Sequence, residues 1–184
     1  KNNKKMGSEE YALDIAETAT ITASTEQALI WGTRTILQIS DKNSVAARAF
    51  ATEPAKSADL ALPKGQILDK PEYALRGFMM DCGRKFIPMS YLRNLVKMMS
   101  YYKMNTLHVH LNDNGFRQFF ADDWNKTQAA FRLESTTYPG LTAKDGSYSK
   151  AEFIDFQKLA EEYGVEIIPE IDVPAHSLAF THYK

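Results

Sequence analysis

At 184 residues the chain is long enough for roughly one domain or one and a half small ones, and its 24% charged and 44% hydrophobic residues are those of an ordinary globular protein. A formal net charge of -1 with no long basic run gives no nucleic-acid footprint, and a single cysteine, Cys82, excludes an intrachain disulfide. No stretch is apolar and long enough to span a bilayer as a helix.

The first residues, KNNKK, are neither an initiator methionine nor a signal peptide, and LAFTHYK ends the chain directly after its richest loop. A piece of a longer protein is therefore expected. Lys1 to Glu10 read as a frayed polar end. Tyr11, Leu13 and Ile15 alternate with polar or small residues and predict a strand, with a second short strand over Ile21 and Ala23. Ser24 with Gln27 has the spacing of a capping box. The helix it would open carries Leu29, Thr33, Ile36 and Leu37 at helical spacing, with Trp31 read as core and Gly32 as a mark of close packing. Asp41 to Leu68, rich in Ala, Ser and Lys, reads as a connection with room for an edge strand. Pro71 marks a boundary, because it cannot continue a helix or a ladder.

Tyr73 to Cys82 is mostly apolar and fits a buried strand, in which Arg76 would need a carboxylate or a polyhydroxylated ligand as partner. Asp81 and Arg84 stand three apart and read as an ion pair. Pro88 suits a helix start, and Met89, Leu92, Leu95, Val96, Met99 and Tyr102 form one apolar stripe, read as packing with no cofactor role. Thr106 to Leu111 predicts a second strand, with Leu107, Val109 and Leu111 on one face and His108 and His110 on the other. Asn112 to Gly115 reads as a turn. His-x-His at a strand end suits a metal, but without a clear third ligand two hydrogen-bonded imidazoles are the preferred reading.

Phe116 to Tyr148 shows no clear regular element. Trp124, Phe131 and Tyr138 there either line a ligand or pack the loop down. Ser149 with Glu152 is a second capping box, opening a helix over Phe153, Phe156, Leu159, Ala160 and Tyr163 that Gly164 closes. The strand that follows, from Val165, runs into a loop with Glu170 and Asp172 on one face and His176 just beyond. Pro169 is tolerable near a strand end. The order β-α-β-loop-α-β predicts parallel strands, whose C-terminal ends gather ligand chemistry.

Arg76-Gly77 with Asp81 and Arg84, then LHVHLND over 107–113, then IPEIDVPAH over 168–176, stand in one order and spacing. In these motifs the chain resembles glycoside hydrolase family 20, the β-N-acetylhexosaminidases, over most of 69–177. The resemblance implies an α/β fold: residues 69–184 as the first three βα units of a (β/α)8 TIM barrel, and residues 1–68 as the end of the small α+β domain that precedes it. It implies a bacterial, secreted, periplasmic or cell-surface enzyme that removes terminal GlcNAc or GalNAc from glycans by substrate-assisted retaining hydrolysis, with no cofactor.

By the same resemblance Arg76 holds sugar hydroxyls. Asp113 and His176 support the catalytic acid, and Glu170, Asp172 and His110 stand behind them. The family's adjacent Asp-Glu pair, which orients the acetamide and supplies the acid/base, has no counterpart here and is expected past the end of the chain, so this piece alone is expected to be unstable and inactive. Asn114, Phe116, Ala175 and Lys85 stand where the family usually has Asp, Trp, Gly and His. Two other readings are a metal-dependent barrel hydrolase using His108, His110 and His176, and a non-catalytic sugar-binding relative.

Overall fold

A computed structural model describes residues 6–40 and 62–183. The first five residues and most of the connection after Ser40 lie outside them. The chain divides into two compact units, one of residues up to Arg76 with Asn94–Asn105 and Tyr163–Val165, the other of Gly77–Arg93, Thr106–Glu162 and Glu166 onward.

In the first unit, β1 (Tyr11–Ile15) lies between β2 (Ala19–Ala23) and β3 (Gly65–Asp69), antiparallel to both. Tyr11, Leu13 and Ile15 are buried as their alternation requires, and they form a core with Ala23 of β2 and with Ala28 and Trp31 of α1 (Glu26–Ser40). The helix does not bury the stripe expected from the sequence. Leu29 and Leu37 are exposed and Ile36 is only partly covered, while Ala28, Trp31, Gly32 and Thr35 are buried. The buried face centres on Trp31 and on a close approach at Gly32, where a Cβ would come within 2.6 Å of Ile21. The cap also moves by one residue. Thr25 Oγ1 accepts the Ala28 N–H at 3.1 Å, while Ser24 Oγ donates to the carbonyls of Met6 and Gly7. Glu9 is anchored rather than frayed, accepting Trp31 Nε1–H at 2.6 Å and pairing with Arg76.

In the second unit, β4 (Gly77–Asp81), β5 (Thr106–His110) and β8 (Glu166–Glu170) form a parallel sheet in that order. In sequence, α2 (Met89–Tyr101), whose residues from Asn94 on count with the first unit, lies between β4 and β5, and α3 (Lys150–Glu162) lies between β5 and β8. In α2, Met89, Leu92, Leu95, Val96 and Met99 are buried as expected, whereas Tyr102 lies past the helix end and is exposed. Glu152 N–H donates to Ser149 Oγ at 3.1 Å, so the second capping signal holds at α3. Leu107, Val109 and Leu111 are fully buried. β4 is shorter and more exposed than expected, with Phe78 and Met79 open, because among the described strands it is an edge. β8 is the other edge, which tolerates Pro169 within it.

Asn112–Asn114 is not a turn. It forms β6, antiparallel to β7 (Ala129–Phe131), and the Gly115 N–H to Gln128 O bond of 2.7 Å closes a loop between them. A 3-10 turn over Arg117–Phe120 and a short terminal helix, α4 (Leu178–His182), complete the described elements.

Candidate active site

The polar groups of the second unit gather where its three parallel strands end. Asp81 is the last residue of β4, His110 the last of β5 and Glu170 the last of β8. Asp113 follows on β6, with Asp172 and His176 on the loop after β8. Asp113 is the hub and is almost fully buried. Its Oδ1 accepts from His176 Nδ1 at 2.7 Å and from the Asn114 N–H at 2.6 Å. Its Oδ2 accepts from His110 Nε2 at 2.8 Å and from Arg84 Nη2 at 2.8 Å. Burial alone would raise the Asp113 pKa. The four donors outweigh it, and the net shift is downward.

His110 has a carboxylate at each ring nitrogen, Asp113 at Nε2 and Glu170 at Nδ1, 2.9 Å away. Two carboxylates, one at each nitrogen, favour an N–H on both and hence the imidazolium form. Burial opposes this, but the two carboxylates prevail and the His110 pKa is raised. Glu170 Oε2 also meets His108 Nε2 at 2.8 Å. The network thus runs His108, Glu170, His110, Asp113, then to His176 and to Arg84.

His176 Nδ1 faces both Asp113 Oδ1 at 2.7 Å and Arg84 Nη2 at 3.4 Å. A protonated Nδ1 cannot accept from a guanidinium, and the shorter contact to the carboxylate decides the tautomer. Nε2 is left 3.9 Å from Asp172 Oδ2, beyond hydrogen-bond range. The side chain of Asp172 is therefore peripheral, while its backbone is bound by Asn112.

Arg84 was legible as the partner of Asp81, and Nη1 does meet Asp81 Oδ2 at 2.7 Å. Its second role was missed. The guanidinium forks between Asp81 and Asp113 and stands 5.5 Å from the centre of the Phe116 ring, with Nε buried and unpaired among the described residues. Two further residues build the turn that carries it. Gly83 allows the β6 backbone to come close, since a Cβ there would lie 2.7 Å from Asp113 N. Arg132, wholly buried, spends its donors on the carbonyls of Cys82, Gly83 and Gly146 and on both oxygens of Asp145. An arginine in the apolar run AAFRL was the available signal for it.

Arg76 lies outside the strand predicted for it. β4 begins at Gly77, so Arg76 precedes it. It belongs to the first unit. There Nη2 pairs with Glu9, Nε donates to Lys103 O at 2.7 Å and Nη1 to Tyr73 O at 2.7 Å.

A cavity of about 400 Å³ opens on the cluster, lined by the polar Arg84, Asp113, Asn114 and His176 together with Phe116 and Trp124. Phe116 and Trp124 are half exposed. Among the described residues two triads bring metal-type ligand atoms within 4.8 Å of one another: Asp81, His110 and Asp113, and His110, Glu170 and Asp172. Neither includes His108 or His176. Both depend on His110, whose ring nitrogens already donate to carboxylates, so the donor set fits a hydrogen-bond network better than an ion.

The profile described as glycosyl hydrolase family 20, catalytic domain, matches residues 73–184, and that of glycosyl hydrolase family 20, domain 2, matches residues 1–70. A beta-hexosaminidase of Akkermansia muciniphila is 33% identical over 150 residues, covering 82% of this chain and 28% of that protein. Among solved structures, a Flavobacterium johnsoniae chitobiase aligns with TM-score 0.72 at 29% identity, covering 94% of this chain and 23% of that one. A mutant Streptomyces plicatus beta-hexosaminidase in complex with the product GlcNAc aligns with TM-score 0.77 at 27% identity, over 97% of this chain and 34% of that one. The chain thus spans about a quarter to a third of the proteins it resembles. With the catalytic-domain profile matching more than half of its length, the chain belongs to glycosyl hydrolase family 20.

Proposed function

We propose that the full-length protein is an exo-acting β-N-acetylhexosaminidase, releasing terminal GlcNAc or GalNAc from glycans. In this reading residues 69–184 are the first three βα units of a TIM barrel and residues 1–68 the end of the domain before it. The observation that carries the reading is the Asp113–His176 pair at the C-terminal strand ends, beside a cavity lined by both polar groups and aromatic rings. The names of the relatives, beta-hexosaminidase and chitobiase, support the substrate class.

The reaction is substrate-assisted and retaining. The 2-acetamido carbonyl oxygen attacks the anomeric carbon as the glycosidic bond breaks, and an acid protonates the leaving oxygen. The same group then activates water, which opens the cyclic intermediate. This chain has no adjacent Asp-Glu pair, and the reading takes that pair from elsewhere in the full-length protein. The residues present here orient and bind. Asp113 holds His176 Nδ1–H, which leaves Nε2 to face the acid and tune it. Arg84 replaces Arg76 as the cation for sugar hydroxyls, because it lines the cavity. Phe116 and Trp124 offer ring faces to the apolar face of a pyranose.

The test is hydrolysis of a chromogenic N-acetyl-β-glucosaminide by the full-length protein and its His176→Ala variant, with and without chelator. Activity that survives chelator and falls in the variant is expected. Loss on chelation would favour a metal held by one of the His110 triads. Sugar binding without turnover would leave recognition alone.

A further inference from the structure

Asn112 does not line the cavity, yet its side chain is completely buried and three of its hydrogen bonds go to the loop that carries His176. Nδ2 donates to Asp172 O at 2.9 Å and to His176 O at 2.8 Å, and Oδ1 accepts the Asp172 N–H at 2.8 Å. The parallel ladder ends just upstream, where the Leu111 N–H donates to Glu170 O at 3.1 Å. Beyond that point Asp172 has no strand neighbour among the described residues. The Asn112 amide takes the neighbour's place, pairing with both backbone groups of Asp172 as a peptide unit would.

His176 needs such support. Its φ is +54°, in the left-handed region that costs a residue with a Cβ about 1–2 kcal/mol. A loop residue left to itself would relax out of this conformation and swing its ring away. Here the main chain of His176 is tied by Asn112 and its ring by Asp113, the next residue in sequence. Two consecutive side chains of β6 therefore fix the backbone and the imidazole of one histidine. The three bonds account for both amide protons and one lone pair of Asn112, so a serine or an aspartate cannot reproduce them.

We propose that Asn112 is a positioning residue for the glycosidase reaction, holding His176 so that Nδ1 meets Asp113 and Nε2 faces the acid. This rests on the hexosaminidase reading. Asn112→Asp keeps an acceptor for Asp172 N–H but sets a carboxylate against two carbonyls. Asn112→Ser keeps one short donor.

In the full-length protein each variant is expected to lower kcat by up to about 10²-fold with little change in KM, since a misplaced supporting group acts on the chemical step. The pH profile of kcat should move towards that of His176→Ala. Combined with His176→Ala, the Asn112 change should cost nothing further, because both remove one function. Losses that multiply, or a lowered melting temperature with unchanged kcat and pH profile, would overturn the proposal and leave Asn112 a packing residue.

Should the variants fail to fold, the wild-type protein still decides. The Asp172 amide must exchange as slowly as the amides of β8, and rapid exchange would refute the clamp. Absence of hexosaminidase activity in the wild type would overturn the reading beneath and not the clamp. Amide exchange, with the ring 15N shifts of His176 in wild type and Asn112→Ser, would then judge the clamp alone.

Discussion

Asp113 Oδ1 and His176 Nδ1 lie 2.7 Å apart, and the same carboxylate binds Arg84 and His110 through its other oxygen. One buried negative charge thus holds three cationic or imidazole groups in fixed directions. Asp113→Asn in the full-length protein keeps the volume but offers one acceptor oxygen and turns an NH2 towards a donor. The expected result is a fall in kcat on the order of 10²-fold or more, at the lower end of what proton-transfer groups contribute, since Asp113 acts through His176. Asp113→Ala should also cost about 3–5 kcal/mol of stability, because Arg84 and His110 would be left charged without it. Unchanged kcat in Asp113→Asn, measured on a chromogenic N-acetyl-β-glucosaminide, would remove the pair from the mechanism.

Stability should fall on both sides of a pH window set by the same cluster. The Asp113 pKa is depressed below its ordinary 3.8, so its contribution is present above that value and lost as pH falls through the lower folded-state value. The His110 pKa is raised above its ordinary 6.5, so its contribution is complete below that value and lost as pH rises through the higher folded-state value. Melting temperatures of the full-length protein should therefore be highest between the two. His110→Gln should flatten the alkaline decline. An alkaline decline identical in wild type and variant would show that the imidazolium is not held as the geometry requires.

Strict alternation made β1 and β5 legible, because one face of each is fully buried and period-two spacing reports that directly. β6 was not legible. Asn112, Asp113 and Asn114 are turn-forming types, and they become a strand only because Ala129–Phe131 returns to pair with them across a long intervening loop. Local preference carries no record of such a partner. Arg84 illustrates the same limit. Its bond to Asp81 spans three residues and could be read, whereas its bond to Asp113 depends on two strands ending side by side. The start of β4 was not legible for a simpler reason: an apolar run fixes the presence of a strand but not which residue begins it, and Arg76 falls just outside. In α1 the hydrophobic scale pointed at Leu29 and Leu37, while the buried face centres on Trp31 and on the close approach at Gly32.

The two arginines should separate cleanly. Arg84→Lys cannot span Asp81 and Asp113 at once and loses the planar fork, so kcat/KM should fall on the order of 10- to 100-fold, equivalent to about 1.5–3 kcal/mol for a charged hydrogen bond. Arg76→Ala should instead act on stability. Its partner Glu9 has a depressed pKa, because the hydrogen bonds from Arg76 and Trp31 outweigh burial. Removal of the guanidinium should cost roughly 3 kcal/mol, with kcat/KM of the folded protein unchanged. A KM raised selectively in Arg76→Ala, without loss of stability, would return the sugar contact to Arg76.

Trp124 offers the most direct probe of the aromatic wall. Arg117 lies 5.2 Å from the centre of its ring and is itself held by Asp122 Oδ1 at 3.4 Å, so one side of the indole is backed by protein while half of the residue stays exposed. The loop is closed at its base by Gly115 and Gln128, and Gln128 Nε2 donates to Arg84 O at 3.2 Å, tying the loop to the backbone of that arginine. Under the proposed function, a ring backed in this way would stack on a pyranose with little further ordering, which keeps the entropic cost of binding low. Trp124→Ala removes that surface and leaves the Asp113 network intact. The expected change is a rise in KM of about tenfold, equivalent to roughly 1.4 kcal/mol, with kcat near wild type and stability within about 0.5 kcal/mol. A KM that does not move would mean that substrate enters past the polar groups alone, and the Phe116–Trp124 loop would lose its place in the binding site.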